Sequence, residues 1–254
     1  MTSNRYPGRF IVLEGLDGSG QTTQAQLLVK WLQDKRNQPA YYTKEPTDGP
    51  VGAMLKLALS HRLTSPGDKK DHRPIDPITM ALWFAADRAD HLYNEIIPKL
   101  RDGVTVVADR FYLSSLAYQS ITLDYSWIRE INRDALRPDL TVFLDVPPRI
   151  CVKRMQTQRW HVELYEDLST LEKVGKNYHE CIRQLQVNGE RIELVDGNKP
   201  AAEVHGAVVE RLKQFFKAAS EQQSRSASAT QEQLALISGT DPLSEVEIAE
   251  HQEG

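Results

Sequence analysis

Residues 10–24 read FIVLEGLDGSGQTTQ. Phe10–Glu14 is a short apolar run suited to a buried strand. Thr22–Arg36 follows at helical period, with Ala25, Leu28, Val29 and Leu32 on one face. The connection between them matches the phosphate-binding pattern G-x-x-x-x-G-K-[ST] at Gly15, Gly20 and Thr22, but carries Gln21 where the pattern has lysine. Glycines here let the backbone turn tightly and aim N–H groups, with a helix N-terminus, at an anion. Gly15, Gly18, Ser19, Gly20, Gln21, Thr22 and Thr23 are therefore the candidate phosphate ligands. The Thr22 hydroxyl is suited to a magnesium ion bridging two phosphates. An ordinary glycine-rich turn would also satisfy this segment taken alone.

Outward from that turn, strands and helices alternate. Ala40–Thr43, Val104–Ala108, Leu140–Val146 and Arg191–Val195 read as further strands, and Val104–Ala108 is the most β-branched of them. Helices are predicted over Gly52–Ser60, Ile78–Leu100 (interrupted near Pro98), Leu113–Ile121, Ser126–Leu136, Pro148–Gln156, Glu166–Gln186 and Pro200–Ala219. Five apolar strands separated by helices predict an α/β protein with a five-stranded parallel sheet flanked by helices.

Composition narrows the classes. The 254 residues carry a formal charge of −4, too balanced for a general nucleic-acid binder. No apolar window approaches a membrane span, and the first residues run directly into a strand without the form of a signal peptide. Two cysteines, Cys151 and Cys181, form no disulfide framework and point to a reducing compartment such as the cytoplasm. The seven histidines show no metal-binding spacing. Residues 218–254 hold seven acids against Arg225 alone and no aromatic residue, leaving residues 1–217 with a charge of +2. This predicts a domain over 1–217 and a mostly disordered acidic tail over 218–254.

Five stretches in order, FIVLEGLDGSGQTTQ, TKEPTDG, LWFAADRADHL, VVADRFYLSSLAYQ and LRPDLTVFLDVPP, resemble the thymidylate kinases from Phe10 to about Phe216. The resemblance implies a three-layer P-loop kinase fold, ATP as phosphoryl donor, Mg2+ as cofactor, dTMP as acceptor and a homodimer. It places Asp17 near the 3′-hydroxyl of the nucleotide, and Lys44 and Glu45 at the monophosphate end. Phe84 would stack on thymine while Arg88 bonds its carbonyl edge. Asp109 would hold water and magnesium beside Thr22, and Arg110 would contact the acceptor phosphate. Ser115, Tyr118 and Gln119 would read the base and exclude a ribose hydroxyl. Without the resemblance, Phe84 and Tyr118 equally suit a core and Arg88 a solvated helix face. Asp109 and Arg110 have independent support, because they end an apolar strand at the edge where open α/β sheets bind ligands.

Two charge positions depart from the family. Gln21 brings an amide without a charge, and Gly18-Ser19 offers no P-loop arginine, so Arg154 and Arg159 of a lid over Met155–Glu163 become the candidate cations. A kinase with a thinned donor cradle, in which lysine at position 21 would raise turnover, is one reading. A catalytically weak or inactive nucleotide-binding regulator is the other.

Overall fold

The computed structural model of the chain describes residues 1–66, 72–158 and 167–238. The chain divides into two units, Met1–Val209 and Glu210–Gly254. In the first, β1 (Phe10–Gly15), β2 (Ala40–Lys44), β3 (Thr105–Asp109), β4 (Leu140–Asp145) and β5 (Ile192–Asp196) form one parallel sheet in the order β2-β3-β1-β4-β5. All residues of β1 and β3 are buried, as expected of strands covered on both faces. Leu13 of β1 stands opposite Asp109 of β3 and Gly15 opposite Leu144 of β4, which brings the carboxyl ends of the strands level. The order reverses at β1. A crevice therefore opens between the ends of β1 and β3, where such sheets bind ligands.

Helix α1 (Gln21–Arg36) returns from the glycine turn, and α2 (Pro50–Leu59) leads to α3 (Pro77–His91). The α3 start is set by Asp76, whose carboxylate accepts from the Ile78 and Thr79 N–H groups at 2.7 and 3.1 Å. The predicted helix over Ile78–Leu100 is three pieces: α3, a π turn at Leu92–Ile96, and α4 (Ile97–Arg101) with Pro98 in its first turn. Proline lacks the N–H of an α-helical ladder, and the wider turn just before it accommodates the missing bond. Helices α5 (Tyr112–Gln119) and α6 (Tyr125–Ile131) follow β3. The helix predicted to Leu136 stops at Ile131, and Leu136-Arg137 instead pairs in parallel with Thr2-Ser3. Its last turn is closed by Asn132, whose amide donates to the Ile128 carbonyl at 2.8 Å.

After β4 comes α7 (Pro148–Gln158), then α8 (Leu168–Val187), which buries Leu171, Val174, Tyr178, Cys181, Ile182 and Leu185. Cys151 and Cys181 are both free thiols in the core. The last helix, α9 (Ala201–Ser238), runs past the Ala219 end expected from composition. No Gly or Pro interrupts the chain between Gly206 and Gly239, so nothing local breaks the helical period. Among the described residues no helix is long and apolar enough to cross a membrane.

Candidate active site

The glycine turn needs its glycines for two reasons. Gly18 and Gly20 have φ of 81° and 98°, values that disfavour a side chain, and a Cβ on Gly18 would sit 2.6 Å from the Cys151 carbonyl oxygen. Gly20 caps α1 with no side-chain hydrogen bond to the helix's first N–H groups, and the space around its Cα is open. The N-terminus of α1 is thus a site for an anion. Arg154 of α7 spans this turn and the one after β5, donating to Ser19 O at 3.3 Å and Gly197 O at 3.0 Å.

Beside the turn, Thr22 donates to Asp109 Oδ2 at 2.5 Å, and Tyr42 of β2 reaches the same oxygen at 3.4 Å. Asp109 Oδ1 is buried with no protein partner. Burial raises the Asp109 pKa, and the Thr22 bond and Arg110 offset it only in part. The Thr22 hydroxyl and the Asp109 carboxylate, one oxygen of which is orphaned, are the kind of oxygen donors a hard divalent cation takes. These residues fit magnesium.

A cavity of about 110 Å³ lies at the crevice, lined by Asp17, Glu45, Phe84, Arg88, Arg110, Ser115, Tyr118 and Gln119 among others. Eight residues singled out from four separate stretches of sequence therefore meet around one space. Arg88 is 2% exposed and is fixed on three sides. Its Nε donates to Glu45 at 3.0 Å with Nη2 2.8 Å from the same carboxylate oxygen, Nη2 donates to Ser115 at 2.9 Å, and Nη1 to Asn132. Of the two hydrogens on Nη1, one goes to Asn132 and one is left. Gln119 presents a buried Oε1 with no partner. Asp87 holds the loop after β2 in place, accepting from Thr47 N at 2.9 Å and Thr47 Oγ1 at 2.5 Å.

Arg110 joins the cavity to the glycine turn. Its backbone is left-handed (φ 73°) with its N–H on Leu13 O at 2.9 Å, a strained conformation for a residue with a side chain. Its Nη2 donates to Asp17 at 2.7 Å, and its Nη1 to Ser114 and Tyr178 at 3.0 and 3.3 Å. Burial works against the guanidinium charge, but Asp17, with Tyr118, Tyr178 and Asp109 behind it, raises the pKa well above the ordinary value. Tyr118 donates to Asp17 at 2.7 Å.

Two expected residues stand apart. Lys44 lies 3.7 Å from Asp48 and lines a neighbouring groove with Tyr42, Asp90 and Glu95 rather than the cavity. On a strand, successive side chains face opposite ways, and the same strand sends Thr43 inward to His91 and Glu95. Arg159 lies outside the described residues, as does most of the predicted lid. Residues not singled out from sequence complete the site: Glu14, Ser114, Asn132, Tyr178 and Tyr42. Glu14 alone carried a signal, as a carboxylate at the end of a strand otherwise wholly apolar.

A parallel sheet with an uncapped helix N-terminus after β1 and a cavity joined to it by one arginine is the architecture of a P-loop phosphotransferase. The thymidylate kinase family profile matches residues 13–208. A protein of Pyrococcus horikoshii named probable thymidylate kinase is 35% identical over 207 residues, covering 81% of this chain and 96% of that one. Similarly named proteins of Thermococcus onnurineus and Staphylothermus marinus are 40% and 41% identical over 173 and 172 residues, or 82% and 80% of their lengths. This chain belongs to the thymidylate kinase family.

Proposed function

We propose that the chain transfers the γ-phosphoryl group of ATP to dTMP, forming dTDP and ADP. The observation that carries this is the Asp17–Arg110 pair at 2.7 Å, which joins the phosphate turn to the base cavity through one charged contact. An acceptor whose base fills the cavity has its phosphate at Arg110, next to the donor phosphates at the N-terminus of α1. An acceptor-phosphate oxygen then attacks the γ-phosphorus as the bond to the β,γ-bridging oxygen breaks. Positioning and charge neutralisation carry most of such a reaction. Gly18, Ser19, Gly20, Thr22 and Thr23 cradle the donor phosphates. Thr22 and Asp109 would hold Mg2+, which supplies charge neutralisation to the β- and γ-phosphates. Arg154 braces the turn from behind, and the role given to Arg159 stays with the lid. Asp17 and Tyr118 face the sugar, Phe84 the base plane, and Glu45 and Ser115 fix Arg88. Release of ADP in a coupled assay with dTMP, ATP and magnesium tests the reaction; no turnover would leave the inactive binding protein as the reading.

The cavity also supports a choice of base. The Arg88 N–H left on Nη1 and the orphaned Gln119 Oε1, on residues that line the same cavity, offer the base a donor and an acceptor. Thymine answers them with a carbonyl and an N–H, whereas cytosine presents an amino group and a bare nitrogen. Each mismatch strands a buried polar group at a cost of about 1–3 kcal/mol. Calorimetry with the four deoxynucleoside monophosphates should find dTMP bound about 100-fold more tightly than dCMP. Equal affinity would refute both assignments.

The reading includes a homodimer in the cytoplasm. Met54 and Leu57 of α2, Ile78 and Leu82 of α3 and Tyr93 are exposed large apolar residues on elements that pack together, a face suited to a second copy. Leu82→Glu should turn a dimer into a monomer in sedimentation velocity. The two unpaired core thiols agree with a reducing compartment.

A further inference from the structure

We propose that Gln21 is a positioning residue for Arg110, so that the P-loop of this chain orients the acceptor phosphate as well as the donor. The proposal rests on the assignment of Arg110 to the acceptor phosphate. Gln21 is 5% exposed, and its side chain lies under the glycine turn against the guanidinium of Arg110. Its two amide atoms have distinguishable surroundings. On one side stand Ser19 Oγ and the Leu16 carbonyl, the latter at 3.0 Å; on the other stand Arg110 Nη2 and Nε at 2.5 and 3.1 Å. Only one orientation satisfies both, with the amide nitrogen donating to Ser19 and Leu16 and the oxygen accepting twice from Arg110.

Arg110 then has a partner for every donor. Nε and one Nη2 hydrogen go to Gln21, the other Nη2 hydrogen to Asp17, and the two on Nη1 to Ser114 and Tyr178. Within the protein all five donors are engaged, so an acceptor phosphate meets Arg110 through its charge and by displacing one of these partners, while the guanidinium plane is held through residues of the glycine turn. Lysine at position 21 could not accept either bond. Its ammonium would stand against a guanidinium at hydrogen-bond distance, two like charges in a partly desolvated site. The amide is therefore matched to its neighbour, and lysine here should lower turnover, where the sequence alone led to the opposite expectation.

The test compares dTMP with thymidine, which lacks the phosphate that Arg110 reads. Calorimetry on the full chain and on Gln21→Met and Gln21→Lys should show dTMP affinity falling about tenfold to a hundredfold in both variants. Thymidine affinity should stay unchanged, which also reports that the cavity remains folded. In steady-state kinetics KM for dTMP rises while KM for ATP stays within about twofold. Unchanged dTMP affinity in both variants, or a raised kcat in Gln21→Lys with dTMP binding intact, would overturn the proposal and return Gln21 to the donor phosphates. Failure of the unaltered chain to bind dTMP at all would instead refute the assignment of Arg110 on which it rests.

Discussion

Arg110→Ala should lower kcat/KM for dTMP by two to three orders of magnitude. Removal of one preorganised donor to developing charge costs about 3–4 kcal/mol of transition-state stabilisation, and Arg110 is a buried cation at the meeting point of both substrates. Arg110→Lys should lose less, because an ammonium keeps the charge. It cannot satisfy Asp17, Ser114, Tyr178 and Gln21 together, since it has three donors where the guanidinium has five. The alanine variant also leaves the Asp17 carboxylate without its cation, so melting temperatures should be measured beside the rates. A variant that stays folded and keeps kcat/KM within about tenfold would remove Arg110 from the reaction.

Much of this site could be read from one sequence, for identifiable reasons. The glycine turn is a local code: positive φ at Gly18 and Gly20 and an anion-ready helix start follow from residues adjacent in the chain. Asp109 and Arg110 were legible because an apolar strand ending in two charges must place them at the carboxyl edge of the sheet. The meeting of Phe84, Arg88, Ser115, Tyr118 and Gln119 was not a local property and came from the resemblance. The remainder depended on contacts between distant segments. Asn132 is 44 residues from Arg88 and Tyr178 is 68 from Arg110, and neither sits in a recognisable pattern. Lys44 is the converse case. The motif places it at the phosphate, and in the structure it lies 3.7 Å from Asp48. Gln21 was read by what it lacks, a charge; its contact with Arg110 is visible only in the fold.

Stability should fall as pH rises from 5.5 to 8.5, by about 2 kcal/mol from Glu14 alone. Glu14 is fully buried at the end of β1, and desolvation lifts its pKa from 4.5 to about 7 against the opposing pull of Ser114, Arg110 and the Phe111 N–H. Its oxygens accept from Phe111 N at 2.9 Å, Ser114 N at 3.2 Å, Ser114 Oγ at 2.6 Å and Tyr178 at 3.1 Å, and full burial outweighs these bonds. The sign follows from proton counts. Between pH 4.5 and 7 the folded chain keeps a proton on Glu14 that the unfolded chain has lost, so each step up in pH favours unfolding. The contribution is complete below the unfolded value and gone above the folded one. His91 acts in the same direction. Burial lowers its pKa, but Glu45, Glu95 and Asp87 outweigh burial and raise it above 6.5, so its contribution also fades as pH rises. For a domain of this size the Glu14 share amounts to a melting temperature about 4–8 °C lower at pH 8.5 than at pH 5.5. Glu14→Gln copies the protonated carboxyl and removes its titration. The slope in that variant should shrink to the part owed to His91 and other groups, and the variant should be the more stable protein at pH 8.5. If both proteins show the same dependence of melting temperature on pH, Glu14 is ionised in the folded state across this range, and Arg110, the nearest cation, compensates it in full.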